Sequence, residues 1–204
     1  MNYSERLEEA LVYAARIHRG QTRRAVHVSE PYLAHLLAVA ALVGEEGGDE
    51  DQLVAALLHD AAEDAGGRER LEDIRRRFGE RVANIVDWCT DSLEFPKPPW
   101  RQRKEAHLQR LQNAPADALL VVLADKVHNA RSLLRLFRRE GVACFQRFRG
   151  GQDGTLWYYR EMVRLLRRQL PQFDLTDELT RLVEEIHRRL ENSPIRFSPH
   201  LPQD

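Results

Sequence analysis

Six apolar residues, Leu53-Val54-Ala55-Ala56-Leu57-Leu58, run straight into His59-Asp60-Ala61-Ala62-Glu63-Asp64. A fold that buries the run must also bring His59 and Asp60 to the edge of its core. Charged groups in that position are costly unless they are paired, hydrogen-bonded or bound to a metal. A metal ion is the simplest stabilising partner for an adjacent His-Asp pair. The pair alone is a weak signal, so its meaning depends on whether other segments supply matching ligands.

The chain has 204 residues, enough for one large domain with a full core. Lys plus Arg number 31 and Asp plus Glu 32, so no global charge draws the chain toward nucleic acid or a membrane. The basic clusters Arg101-Gln102-Arg103-Lys104 and Arg164 to Arg168 read first as solvated helix faces, although clustered arginine can bind phosphate. Cys89 and Cys144 have no short-range partner, which argues against a disulfide framework or a cysteine zinc site and suits a cytoplasmic protein. With Glu5, Arg6, Glu8, Glu9 and Arg16 in the first segment, no signal peptide is expected there, and no apolar run approaches a membrane span. A homo-oligomer is compatible with all of this.

Hydrophobic periodicity is helical nearly throughout, and the expected fold is all-α with many short helices. Ser4 is placed to cap a first helix that ends near Gly20, and Gln21 to Glu30 form a polar loop with room for a short hairpin near residues 23–29. Ser29-Glu30-Pro31 starts a helix that carries His35 and closes at Gly47-Gly48. A third helix from Asp49 or Glu50 carries the His-Asp run as far as Gly66-Gly67. Further helices are expected over Leu71–Phe78, Arg81 to about Thr90, Arg101–Gln112, Ala116 to about Arg139, Leu156–Gln169 and Asp177–Glu191. Phe95-Pro96-Lys97-Pro98-Pro99-Trp100 must be a loop. The glycines Gly150, Gly151 and Gly154 read as a break. Residues 1–191 form one unit, with a motif-bearing core over about 3–136 and a helical extension over 137–191; residues 192–204 read as an extended or disordered tail.

On a helix, adjacent residues project about 100° apart, so His59 and Asp60 can flank one ion. Glu63 lies four residues after His59 and Asp64 four after Asp60, which keeps all four groups on one side. One role set makes His59 and Asp60 ligands, with Glu63 and Asp64 beside them to orient or deprotonate a metal-bound water. The bland reading of Glu63 and Asp64 alone is a solvated helix end before Gly66. His35 stands alone on an apolar helix, where a histidine is more often a satisfied core residue. Asp125 follows the apolar run Leu119 to Ala124, with Lys126 beside it as a ready counter-ion. Together the three helices fit a His-His-Asp-Asp ion site, whose donors suit manganese, iron or zinc.

This pattern resembles the HD phosphohydrolases, and within them the hydrolase domains of RelA/SpoT homologues and the small alarmone hydrolases. The resemblance rests on His18-Arg19-Gly20-Gln21-Thr22-Arg23-Arg24 with Glu30-Pro31-Tyr32-Leu33-Ala34-His35, then on Leu57-Leu58-His59-Asp60-Ala61-Ala62-Glu63-Asp64. It continues through Phe78-Gly79 with Val82, Ile85, Val86 and Thr90, and through Leu123-Ala124-Asp125-Lys126-Val127-His128-Asn129-Ala130-Arg131. The four motifs stand in family order from about Tyr3 to Leu136. The resemblance implies a compact HD-domain fold and one divalent ion, manganese, held by His35, His59, Asp60 and Asp125. It implies Glu63 and Asp64 as the pair that activates water, Arg23 against a purine base, Arg24 near the phosphates, and Asn129 at the sugar. His18 reads as a structural histidine that holds the loop.

The implied reaction is hydrolysis of the 3′-pyrophosphate of (p)ppGpp-type alarmones, in guanosine or adenosine form, as in the stringent response. Lys97, Arg103, Arg101 and Lys104, in and after the proline-rich loop, are the expected phosphate-neutralising groups. Two departures from the family pattern stand out. Ala25-Val26-His27-Val28-Ser29 is longer than the family's link and lacks its glycine, which bears on base specificity. No synthetase motif follows, so a hydrolase-only protein is expected. The alternatives are an HD phosphatase acting on the NADPH 2′-phosphate or a nucleoside monophosphate, and a non-catalytic nucleotide-binding module. Trp157-Tyr158-Tyr159 read first as core, with a place at the nucleotide pocket as the rival assignment.

Overall fold

The computed structural model describes residues 4–23, 30–94 and 96–192. The chain there is all-α, as the periodicity predicts. Its helices are α1 (Glu5–Ile17), α2 (Tyr32–Glu45), α3 (Glu50–Leu58), α4 (Ala61–Asp64), α5 (Gly67–Phe78), α6 (Glu80–Cys89), α7 (Trp100–Leu111), α8 (Ala116–Glu140), α9 (Gly151–Gln169) and α10 (Asp174–Glu191). A 3-10 helix, Gly141–Arg147, links α8 to α9. No described helix is long and apolar enough to cross a membrane.

Helix α8 forms the axis, packed by α2, α3, α6, α9, α10 and the 3-10 helix. Its residues Ala118 to Asp125 are all buried, so the apolar run that ends at Asp125 carries that carboxylate into the interior. Ser4 caps α1 by accepting from the Arg6 amide at 3.2 Å. Asp49 caps α3 through a reciprocal box: its carboxylate accepts from the Gln52 amide at 3.0 Å, and the Gln52 side chain accepts from the Asp49 amide at 2.9 Å.

The helix expected from residue 49 or 50 to Gly66 is broken at His59-Asp60. Nδ1 of His59 donates to the Ala56 carbonyl at 2.8 Å, competing for an acceptor that a continuing helix uses. Asp60 then sits at φ −96°, ψ −3°, and the chain re-enters helix at Ala61. The break tips the two ligand-type side chains toward α2 and α8 while Glu63 and Asp64 follow on their own short turn.

Helices α9 and α10 both begin earlier than the sequence suggests, and α9 includes Gly151 and Gly154. These glycines serve a contact rather than a break. A Cβ at Gly150 would meet the Trp100 indole at 2.6 Å, and one at Gly154 would meet it at 3.0 Å. The hairpin anticipated near residues 23–29 falls largely outside the described residues. Its neck is described: Thr22 bridges Pro31 antiparallel, and Arg23 N donates to the Glu30 carbonyl at 3.0 Å. The tail from residue 193 also lies outside the described residues, and Asn192 closes α10.

Candidate active site and metal centre

Three helices deliver the ligand-type groups to one point. Ring nitrogens of His35 and His59 and a carboxylate oxygen of Asp125 all lie within 4.8 Å of one another, and all three residues are buried. Nε2 of His35 is 3.2 Å from Asp125 Oδ1 and 3.4 Å from Asp60 Oδ2, and Nε2 of His59 is 3.0 Å from the same Asp60 oxygen. Asp60 is therefore brought into the group, and its Oδ2 also accepts from the Tyr32 hydroxyl at 2.6 Å.

The electrostatics suit a cation. Burial works against charge on His59, yet Asp60 and Asp125 outweigh it and hold its pKa well above the ordinary histidine value. Burial likewise opposes ionisation of Asp60, but His59 and His35 hold it well below the carboxylate range. Nε2 of His59 is buried without a hydrogen-bond partner, the orphan expected of a ligand nitrogen. Two imidazoles and two carboxylates, from α2, α8 and the junction of α3 with α4, fit a divalent ion of the borderline-hard class.

The surrounding bonds set which nitrogen of each ring faces inward. Because Nδ1 of His59 donates to Ala56, Nε2 is the nitrogen that faces Asp60 and the centre. Nδ1 of His35 lies 2.8 Å from Nδ1 of His128, which also receives Nη1 of Arg23 at 2.9 Å. Burial, His35 and Arg23 push the pKa of His128 down to about 3, so it is neutral and acts as acceptor. His35 then donates through Nδ1, which leaves its Nε2 facing Asp60 and Asp125. His128 carries no signal of this in the sequence beyond its place three residues after Asp125, on the same face of α8.

Asp125 shows that its two sequence readings coexist. Its Oδ2 takes Lys126 Nζ at 2.5 Å and its Oδ1 takes Asn129 Nδ2 at 2.5 Å, the same Oδ1 that faces the histidines. Arg23 is not an exposed loop residue: it is 9% exposed and laid against α8, donating to His128, to Ser132 and to Asn129 Oδ1. Arg24 lies outside the described residues. His18 holds the loop as expected, bonded to Gln21 at 2.7 Å and stacked on Tyr32.

Beside this centre lies a cleft of about 730 Å³ whose walls include Gln21, Arg23, Glu63, Asp64, Lys97 and Lys104. Glu63 Oε1 is 3.0 Å from Lys97 Nζ and 3.8 Å from Arg103. Burial and the nearby Asp91 charge nevertheless raise its pKa above the usual glutamate value, a setting for proton acceptance. Asp64 Oδ2 accepts from Gln21 Nε2 at 2.9 Å. The expected cations divide: Lys97, Arg103 and Lys104 line the cleft, whereas Arg101 turns outward, stacks on Trp157 at 3.3 Å and pairs with Glu105. Residues two apart on a helix face opposite ways, so Arg101 and Arg103 cannot share one site. Arg147 and Arg149, after α8, complete the basic wall and carried no motif in the sequence.

A smaller pocket of about 260 Å³ adjoins the cleft, bordered by Asn129, Ser132, Tyr158 and Tyr159. Both tyrosines are also buried core residues, so the aromatic cluster serves core and pocket at once, and Trp157 belongs to the outer groove with Arg101.

Asp91 anchors the basic wall. Its side chain is 1% exposed and is gripped by Arg103 and by Lys104 at 2.8 Å. Burial opposes its ionisation, but Lys104 and Arg103 lower its pKa to about 2. A carboxyl depressed in the fold stabilises it above the unfolded value of about 3.9, and that stability is lost as the pH falls toward 2. Asp91→Asn is expected to cost about 2 kcal/mol at pH 7, measured as a shift in the urea midpoint. The gap to the parent protein should narrow between pH 4 and pH 2; a gap independent of pH would refute the ionic origin.

A family model described as an HD domain matches residues 10–156. The guanosine-3′,5′-bis(diphosphate) 3′-pyrophosphohydrolase MESH1 of Xenopus tropicalis is 40% identical over 129 residues, covering 62% of this chain and 69% of that protein. The bifunctional (p)ppGpp synthase/hydrolase SpoT of Escherichia coli is 35% identical over 149 residues, which is 68% of this chain and 20% of SpoT. The chain spans only 17% of the Myxococcus xanthus GTP pyrophosphokinase, to which it is 37% identical over 133 residues. Among solved structures, a metazoan ortholog of SpoT that hydrolyses ppGpp superposes with a TM-score of 0.72 at 29% identity, covering 93% of this chain and 97% of that one.

Proposed function

Because this chain belongs to the HD-domain family, we propose that it is a metal-dependent hydrolase that removes the 3′-pyrophosphate of (p)ppGpp-type alarmones and leaves the nucleoside 5′-di- or triphosphate. The observation that carries this reading is the buried His35–His59–Asp125 cluster, with Asp60 against it, beside a basic cleft that also holds Glu63 and Asp64. His35, His59, Asp60 and Asp125 would hold the ion, and manganese is the one that the family resemblance names. When bound, such an ion polarises a phosphoryl oxygen and acidifies water.

The chain's own groups do the rest. Glu63, whose affinity for a proton is raised, accepts one from the attacking water, and Asp64, fixed by Gln21, orients that water. Lys97 and Arg103 stand where they neutralise charge gathering on the leaving pyrophosphate. Arg23 and Asn129, bonded to each other, border the inner pocket and supply a guanidinium face for the purine and an amide for the sugar. Arg24 is assigned to the phosphates by its place in the motif. Residues 1–191 act as one hydrolase unit, since the segment after α8 supplies part of the cleft.

The test is a manganese-supplemented panel of ppGpp, ppApp, NADPH and nucleoside monophosphates, with pyrophosphate and orthophosphate measured separately. Pyrophosphate release from ppGpp or ppApp is the expected result. Orthophosphate from NADPH or a monophosphate alone would overturn it. Base preference rests on residues 21–30, where the chain departs most from the family pattern.

A further inference from the structure

Six cationic side chains line the cleft, and five of them are engaged by the protein itself. Lys97 is held by Glu63 at 3.0 Å, and Arg103 and Lys104 by Asp91. Arg147 pairs with Glu140 at 2.7 Å, and Arg23 is bonded to His128, Ser132 and Asn129. Arg149 alone has no hydrogen-bond or ion-pair partner among the described residues. It also borders both the cleft and the inner pocket.

The backbone at Arg149 is fixed even though its side chain has no partner among the described residues. Gly151 N donates to the Phe148 carbonyl at 2.9 Å, closing a turn in which Arg149 is the second residue. Gly150 follows at φ −79°, ψ −5°, the values of the third residue of a type I turn. Gly151 sits at φ +59°, the left-handed region that glycine tolerates. Trp100 covers Gly150 so closely that no Cβ fits beneath it. A guanidinium with five donors and no acceptor is thus presented from a pinned turn at the junction of two cavities.

We propose that Arg149 binds a second phosphate-bearing end of the substrate, the end that is not cleaved, and so selects nucleotides phosphorylated at two positions. This rests on the pyrophosphohydrolase reading above. If the scissile pyrophosphate lies against Glu63 and the metal ligands while the nucleoside enters the inner pocket, the other phosphate chain must leave through the space they share. Among the described residues Arg149 is the cation there without an acceptor, and guanidinium pairs with phosphate through two parallel hydrogen bonds. Lys97, Arg103 and Lys104, held by Glu63 and Asp91, are left to the reacting end, and Arg23, held against α8, to the purine. Arg149 serves recognition of the uncleaved end.

The test uses the full chain with manganese and two nucleotides that hold no pyrophosphate, guanosine 3′,5′-bisphosphate and guanosine 3′-monophosphate. Titration calorimetry should show the bisphosphate bound about tenfold tighter by the parent protein, the scale of one charge-assisted pairing. In Arg149→Ala that preference should fall to about threefold or less, and Arg149→Lys should recover part of it. A parent protein without the preference, or a variant that keeps it in full, overturns the proposal. Hydrolysis of ppGpp is followed on the same preparation. Absence of pyrophosphate release removes the alarmone reading, while the bisphosphate preference still decides the role of Arg149. Binding of neither nucleotide overturns both.

Discussion

Exchange of Asp125 for asparagine is expected to weaken divalent-metal binding by about 100-fold or more and to remove the stabilisation that the ion confers, since a ligand should matter at least as much as an outer-shell partner. The amide is nearly isosteric and can still accept from Asn129, so packing around α8 is kept. What it removes is the charge that faces His35 at 3.2 Å and balances Lys126 at 2.5 Å. The parent site has two carboxylates that hold His59 above its ordinary pKa, so it already favours a positive charge at its centre. An ion binding there must displace that proton, and affinity should therefore rise with pH through the titration of His59. In a thermal melt, manganese at about 100 times its Kd should add about 2.7 kcal/mol to the parent protein and much less to Asp125→Asn. Undiminished manganese affinity in the variant would remove Asp125 from the ligand set.

That Asp125 could be singled out at all shows which part of the site is local. An acid at the end of a six-residue apolar run is an anomaly visible in sequence, and so is His59 behind Leu53 to Leu58. Burial in the folded chain then turns each anomaly into a requirement for a partner. His128, Tyr32 and Asp91 raised no such flag, because their importance lies in what they touch. His128 matters through Arg23 and His35, which lie 105 and 93 residues away. Asp91 follows no apolar run; only the return of α7 sets Arg103 and Lys104 against it. The glycines at 150, 151 and 154 were misleading for the same reason. Glycine weakens a helix in the absence of other information, and the contact that requires Gly150 and Gly154 is made by Trp100 from another helix. The break at His59-Asp60 likewise depends on where an imidazole finds its acceptor. Periodicity thus gives the helices and their order, whereas the second layer of the site is a product of tertiary packing.

Glu63→Gln is expected to lower kcat about 10³-fold, within the 10²–10⁴ that a positioned general base contributes, while manganese affinity changes by no more than about threefold. The argument is geometric. Glu63 stands on its own turn after the break, outside the His35–His59–Asp125 group, and its carboxylate faces Lys97 and the cleft. The amide fills the same volume and can accept from Lys97, so what is lost is proton affinity together with the charge that faces Lys97. If Glu63 and Asp64 handle one water as a unit, Asp64→Asn added to Glu63→Gln should cost far less than the product of the two single effects. The two carboxylates would then be separable from the ligands, which fail by losing metal. Turnover above about a tenth of the parent rate in Glu63→Gln would rule out general-base action there. Loss of turnover together with loss of manganese would move Glu63 into the ligand set.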